Sequence, residues 1–141
     1  MKQKLKNPFS ISPIFKLNYS CKKSIVVNQG GTSSGKTYSI LQVLLLKASK
    51  NPNQIITIVG QDIPNLKVGA IRDFDTILSS SDFFNGFIKQ RNISDRTYTL
   101  TNGSKIEFKS YENEQDAKSG KRDYLFINEA NGIGYSIYDQ L

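Results

Sequence analysis

The chain has 141 residues, of which 38% are hydrophobic and 22% are charged, and its formal net charge is +7. This composition is typical of one folded domain and excludes the disordered and membrane-embedded classes of protein. Cys21 is the only cysteine and histidine is absent, which excludes an internal disulfide, a cysteine-cluster metal site and histidine-based catalysis.

The positive charge lies mainly at the N-terminal end. Residues 1–50 contain nine lysines and no Asp or Glu, whereas residues 51–141 contain ten Lys and Arg against twelve Asp and Glu. Lysine-rich segments bind nucleic acid by displacing counterions from phosphates, but they also serve as solubilising tails. We favour the tail, because no aromatic residue alternates with the first lysines. Residues 1–22 are interpreted as a basic approach segment, and residues 23–141 as the domain that follows it.

A glycine-rich segment defines the candidate site. The apolar residues 25–29 predict a strand, and residues 30–37 have the pattern G-x-x-x-x-G-K-T of a phosphate-binding P-loop. Glycines there let backbone N–H groups face phosphate oxygens, while the lysine reaches the β- and γ-phosphates and the last hydroxyl binds Mg²⁺. A helix over residues 38–50 would point its positive end at the same anion. The predicted nucleotide site consists of Gly30, Gly31, Thr32, Ser33, Ser34, Gly35, Lys36 and Thr37.

Two aromatic side chains precede this loop. In folds that contain a P-loop, the stretch before the first strand often lies near the base of the nucleotide, which makes Phe15 and Tyr19 candidates for stacking on adenine. The other interpretation is that both rings cover one edge of the core.

The central part of the chain predicts alternating strands and helices. Residues 54–59 indicate a buried strand, and apolar residues recur at helical spacing over residues 65–78. Residues 82–90 predict a short helix interrupted at Gly86, and the Asn-Gly pair at residues 102–103 is typical of a β-hairpin. A continuous apolar strand after a strand–helix unit implies an α/β fold, with a mainly parallel sheet, helices on both faces and the hairpin in addition.

A second polar motif follows the apolar residues 124–127. Such a strand ending in two polar residues has the layout of a Walker B strand, in which an Asp-Glu pair usually holds the Mg²⁺ shell and polarises the attacking water. Here the pair is Asn128 and Glu129. The Asn128 amide oxygen can still accept a hydrogen bond from metal-bound water, although it is uncharged. We predict a metal-site role for Asn128 and a catalytic role for Glu129. The alternative is a buried strand that ends in an incidental glutamate.

Four segments together resemble the N-terminal ATPase region of the large terminase subunit, the DNA-packaging motor of tailed phages. They are NQGGTSSGKT, IVGQDIPNLKVGAIRDF, FKSYENEQDAKSGKR and YLFINEAN, in this order along the chain. The resemblance extends from about residue 12 onward. It implies a P-loop NTPase of the catalytic-glutamate type that hydrolyses ATP with Mg²⁺. Lys36 and Thr37 would then bind the phosphates and the metal, and Glu129 would be the catalytic carboxylate.

The same resemblance implies partners and a place of action. The partners would be double-stranded DNA, a portal protein, a small terminase subunit and further copies in a homo-oligomeric ring, in the cytoplasm of an infected bacterium and with no membrane. The resemblance also places Arg72 near the nucleotide or the neighbouring subunit, as the first candidate for a transition-state cation, with Arg122 as the second. Many relatives have a basic residue in the loop where Thr32 or Ser33 stands here, which leaves the arginine finger open.

Two alternatives to a packaging motor are a helicase-like DNA-dependent ATPase and a nucleotide-binding module that does not hydrolyse. Asn128 is the residue that favours the second. In the catalytic-glutamate class, the strand after Walker B lies between the Walker B strand and the P-loop strand, and residues 130–141 are too few to supply it. We therefore expect the domain to be incomplete at its C-terminus, with residues 25–29 unpaired on one side, and expect little ATPase activity from this stretch alone.

Overall fold

One five-stranded sheet organises the structure, a computed structural model that describes residues 10–31 and 34–141. Its strands lie across the sheet in the order second, third, fourth, first, fifth. The first strand pairs in parallel with the fourth and the fifth, whereas the second, third and fourth pair antiparallel. In chain order the strands are Ile55–Val59 (β1), Ile88–Asn92 (β2), Thr97–Leu100 (β3), Lys105–Lys109 (β4) and Tyr124–Ile127 (β5).

The predicted α/β class is confirmed, and the sheet is mixed, with β4, β1 and β5 parallel to one another. The hairpin predicted around residues 102–103 joins β3 to β4, and Gly103 has φ 86, which favours glycine. Its second strand pairs with β1 as well as with β3. The hairpin therefore belongs to the main sheet.

Helices occupy about half of the remaining described chain. They are Pro13–Ser20 (α1), Lys36–Lys50 (α2), Ile63–Val68 (α3), Ala70–Ser80 (α4), Asp82–Asn85 (α5), Glu114–Lys118 (α6) and Tyr135–Tyr138 (α7). In the two described ranges, none of these helices has the length and apolar character needed to cross a bilayer.

The structure adds one helix and corrects two predicted ones. The approach segment contains α1, because the Ser12 hydroxyl accepts a hydrogen bond from the Phe15 N–H and a proline stands in the first helical turn. The helix predicted over residues 65–78 is two helices, separated by Gly69 with φ −115 and ψ −100. The helix predicted over residues 82–90 is shorter and consists of α5 alone. The residues that follow it form β2 because their backbone pairs with β3.

The main core lies between one face of the sheet and the helices α2 and α4. Ile56 and Ile58, alternate residues of β1, point into it and are fully buried. The other buried members come from α2, α3, α4, α5, β3 and β4, and include Leu41, Leu44, Leu45, Ala48, Leu66, Phe74, Ile77, Phe84, Tyr98, Leu100, Ile106 and Phe108. This packing stabilises α2 against the sheet and so fixes the residue at its first turn, Lys36.

The predicted strand over residues 25–29 is wrong for this structure. These residues have no regular secondary structure, and Ile25 and Val27 are 83% and 84% exposed. In the described ranges, β5 pairs with β1 alone, so no neighbouring strand is available to hydrogen-bond this segment. An apolar sequence forms a strand only where its backbone groups find partners.

Candidate nucleotide-binding site

The loop before α2 is built around its lysine. Gly35 has φ 76 and ψ 12, a left-handed conformation that a side chain disfavours, and α2 begins at the next residue. The Lys36 ammonium donates to the carbonyl oxygens of Gly30 and Gly31, at 2.8 Å each, and to the Ser34 hydroxyl at 2.9 Å. The loop is thus folded around a cation at a helix N-terminus, an arrangement that suits a phosphate group. Thr32 and Ser33 lie outside the described residues.

The two polar motifs meet at one hydrogen bond. The Thr37 hydroxyl donates to the Asn128 side-chain oxygen at 2.9 Å, although the residues are 91 positions apart. Both side chains offer oxygen atoms, which are the ligands that Mg²⁺ prefers in proteins. Mg²⁺ commonly takes only one or two protein ligands beside substrate phosphates and waters. The pair therefore fits a Mg²⁺ ion held jointly with a nucleotide, with less charge than an aspartate would supply.

Glu129 stands in an unusual backbone conformation directly after β5. Its φ is 55 and its ψ 64, in the left-handed region where a non-glycine residue is uncommon. The preceding residue still belongs to the sheet, because the Asn128 N–H donates to the Val59 carbonyl at 2.9 Å. The chain leaves β5 at Glu129, an exposed residue that directly follows Asn128. Strain of this kind is frequent at functional sites.

A tight contact fixes the turn that Glu129 begins. Ala130–Gly132 forms one 3₁₀ turn, and the Gly132 N–H donates to the Glu129 carbonyl at 2.9 Å. A Cβ atom at Gly132 would lie 2.7 Å from the Gln61 side-chain oxygen. Since Gln61 follows β1 almost directly, the loops after the neighbouring strands β1 and β5 pack against each other at this edge of the sheet. No local sequence pattern indicates this contact.

The structure does not bring the two candidate arginines into contact with the loop around Lys36. Arg72 is 69% exposed on α4, with Asp73 at 3.7 Å, and it lines a surface groove of about 630 Å³ beside Arg91 and Tyr98. Arg122 donates to the Ala117 carbonyl at 2.7 Å and so braces the end of α6.

The helix α1 contacts the segment that leads into the loop, although no helix was predicted there. Phe15 is buried, so it covers the core, and its ring stacks on that of Tyr19 with centroids 5.6 Å apart. The side chains of Asn18 and Asn28 exchange two hydrogen bonds, at 2.8 and 2.9 Å. Asn28 is two residues before Gly30, so α1 is tied directly to the start of the loop. The serine N-cap and Pro13 could have indicated this helix.

This chain resembles known proteins in sequence and in fold. A family model described as phage terminase large subunit matches residues 22–141. The comparison with curated protein sequences gave no match. Similar solved structures include the large terminase of a thermophilic bacteriophage in crystal form 2, with a TM-score of 0.69 and 18% identity over 94% of this chain and 35% of that one.

The same thermophilic phage protein has also been solved in complex with ADP. That structure, in crystal form 3, has a TM-score of 0.70 and 17% identity, and covers 93% of this chain and 35% of that chain. At such identities the likeness shows a shared fold, and this chain spans about a third of the length of the thermophilic phage terminase. The family match, by contrast, extends over most of the sequence. The chain therefore belongs to the phage terminase large subunit family.

Proposed function

We propose that this chain is the ATP-binding part of a motor that hydrolyses ATP with Mg²⁺ and drives double-stranded DNA into a phage procapsid. The observation that carries the proposal is the 2.9 Å hydrogen bond from Thr37 to Asn128, which joins the two motifs beside the loop around Lys36. Membership of the terminase family supports the DNA-packaging role.

The proposed roles follow from the chemistry of each side chain. Backbone N–H groups of residues 30–35 and the Lys36 ammonium bind the phosphates, while Thr37 and Asn128 hold Mg²⁺. Glu129 orients a water molecule and accepts its proton as the water oxygen bonds to the γ-phosphorus and the bond to the leaving ADP oxygen breaks. Little covalent chemistry is required of the protein, so positioning and charge supply most of the catalysis.

Arg72 is proposed as the cation that completes the site from a neighbouring subunit. Its exposed guanidinium has one weak ion pair, at 3.7 Å to Asp73, and is free to turn toward another copy. In this proposal the subunits form a ring on a portal protein, receive DNA from a small terminase subunit and act in the cytoplasm of the infected bacterium.

We further propose that the ATPase domain over residues 23–141 is completed by another strand beside β5. In the described ranges, the outer edge of β5 has no strand partner, and the apolar side chains of Ile25 and Val27 are exposed. A strand inserted between β5 and residues 25–29 would satisfy backbone groups on both of its sides. Without it the loop around Lys36 is poorly supported, and we expect slow hydrolysis.

A nucleotide-binding module without hydrolysis is the second candidate function. The residue that favours it is Asn128, which supplies no negative charge where hydrolases of this type usually have an aspartate. The two candidates differ in turnover and agree in nucleotide binding, so measurement of phosphate release separates them.

The test of nucleotide binding uses the full-length protein with Lys36→Ala. Removal of the ammonium should weaken ATP binding markedly and abolish hydrolysis. The matched control is Lys105→Ala, since Lys105 is exposed and pairs with Ile55 at the amino-terminal end of β1, the sheet edge opposite Asn128. Unchanged binding and turnover in Lys36→Ala would refute the proposed function.

A further inference from the structure

The loop around Lys36 has few attachments to the body of the protein on its N-terminal side. In the described ranges, no backbone hydrogen bond joins residues 22–31 to the sheet or to another element. The apolar side chains of Ile25 and Val27 are exposed. Backbone hydrogen bonds of this described segment therefore do not fix the position of Gly30 and Gly31 relative to Lys36.

One side-chain pair supplies the missing attachment. The Asn18 amide N–H donates to the Asn28 oxygen at 2.8 Å, and the Asn28 amide N–H donates to the Asn18 oxygen at 2.9 Å. The Asn18 amide also donates to the Ile14 carbonyl at 2.9 Å, one turn back along α1. Because each amide satisfies the other, replacement of either one leaves a part-buried donor and acceptor without partners.

α1 in turn is fixed to the helix that begins at Lys36. The Ser12 and Ser39 hydroxyls are 2.7 Å apart, and the Gln42 amide donates to the Ser10 carbonyl at 3.1 Å. Both Ser39 and Gln42 are buried on α2. A continuous set of contacts thus leads from α2 through α1 and Asn28 to the carbonyl of Gly30, which accepts from the Lys36 ammonium.

We propose that Asn18 and Asn28 are positioning residues for the phosphate-binding loop, with α1 as the support that places Gly30 and Gly31. The proposal rests on the proposed function, since it assumes that residues 30–37 bind a nucleotide. Neither asparagine contacts the phosphates. Their effect is exerted through the placement of Gly30 and Gly31 relative to Lys36.

The test is a double-mutant cycle with Asn18→Ala, Asn28→Ala and the pair, in the full-length protein, with ADP and ATP as ligands. Each single variant should raise the nucleotide Kd and the KM for ATP by about fivefold, the effect of losing one well-formed hydrogen-bonded pair, with a smaller change in kcat. The double variant should be no weaker than either single one, because the same contact is lost in all three. Asn28→Asp keeps the acceptor and loses the donor, so its Kd should lie between those of wild type and Asn28→Ala.

Two controls separate this inference from its premises. Asn113→Ala removes another asparagine with a hydrogen-bonded side chain, which caps α6 by accepting from the Asp116 N–H at 2.9 Å, and it should leave the Kd unchanged. If Lys36→Ala fails to weaken binding, the proposed function itself is wrong. If Lys36→Ala abolishes binding while the asparagine variants fold cooperatively and bind as wild type does, the positioning role alone is refuted. Strictly additive effects, or a loss of kcat with unchanged KM, would also overturn it.

Discussion

Substitutions at Glu129 can separate the effect of its backbone strain on stability from the effect of its carboxylate on ATP hydrolysis. At φ 55 and ψ 64 the residue keeps a Cβ atom in a conformation that costs about 1–2 kcal/mol relative to a right-handed one. Glycine avoids that cost, but its unfolded state has more conformational entropy, which lowers the free energy of unfolding by about 0.5–1 kcal/mol relative to alanine. Since the Glu129 side chain is exposed, we expect Glu129→Gly to unfold with a free energy about 0.5–1 kcal/mol higher than that of Glu129→Ala.

For a chain of this size, the difference corresponds to a Tm higher by about 2–4 °C. Glu129→Gln keeps the Cβ and should melt with the wild type. All three variants should bind ATP and fail to hydrolyse it, because they lack the carboxylate that we propose accepts the proton of water. Thermal unfolding by circular dichroism and phosphate release in the full-length protein measure both effects. A lower Tm for glycine than for alanine would refute the strain argument, and normal turnover in Glu129→Gln would refute the catalytic assignment.

Three further predictions concern the metal site, the arginine and the core. Asn128→Asp should be tolerated and should lower the Mg²⁺ concentration required for half-maximal turnover, because a carboxylate adds charge next to the Thr37 hydroxyl; an unchanged Mg²⁺ requirement would argue against this residue as a metal ligand. Arg72→Ala should abolish turnover, and mixing it with Lys36→Ala subunits should restore some; full activity in Arg72→Ala rings would exclude this arginine. Burial, and then the hydrogen bond to Asp75, raise the pKa of Tyr98 above its usual value. The unfolded tyrosine therefore ionises first as the pH rises. The contribution of Tyr98 to the free energy of unfolding is complete below about pH 10 and is lost above it. Tyr98→Phe should flatten that decline in urea titrations between about pH 10 and 12, and an unchanged slope would contradict the assigned pKa.

The candidate site was largely predictable because its chemistry depends on short local patterns. Gly35 and Lys36 occupy the loop and helix start that the spacing G-x-x-x-x-G-K-T predicts, and Gly35 has the positive φ that the pattern requires. Asn128 and Glu129 directly follow the predicted strand. The roles of these residues in catalysis stay predictions, as does the role of Arg72.

The β-hairpin was also predictable from the sequence, whereas the contact of its turn with the end of α2 was not. The Asn-Gly pair specifies a turn, but only the fold shows that the Asn102 amide donates to the Ala48 carbonyl at 2.8 Å and so caps α2. Gly103 also leaves no room for a Cβ, which would lie 2.4 Å from the Asn53 side-chain oxygen. The Asn102-Gly103 pair thus forms the turn and also contacts residues 48–53, about 50 positions earlier in the chain.

The sequence by itself determined the α/β class, the glycine-rich loop before α2 and the polar end of β5, because backbone propensity, apolar spacing and glycine torsions act within a few residues. Tertiary structure decided which apolar segments became strands. Residues 88–92 are mostly polar and form β2, since β3 supplies hydrogen-bond partners, whereas residues 25–29, which begin with three apolar residues, remain outside the sheet. It also decided that Asn28 pairs with Asn18 and that Thr37 meets Asn128, since contacts between distant residues depend on how whole elements pack and not on local propensity.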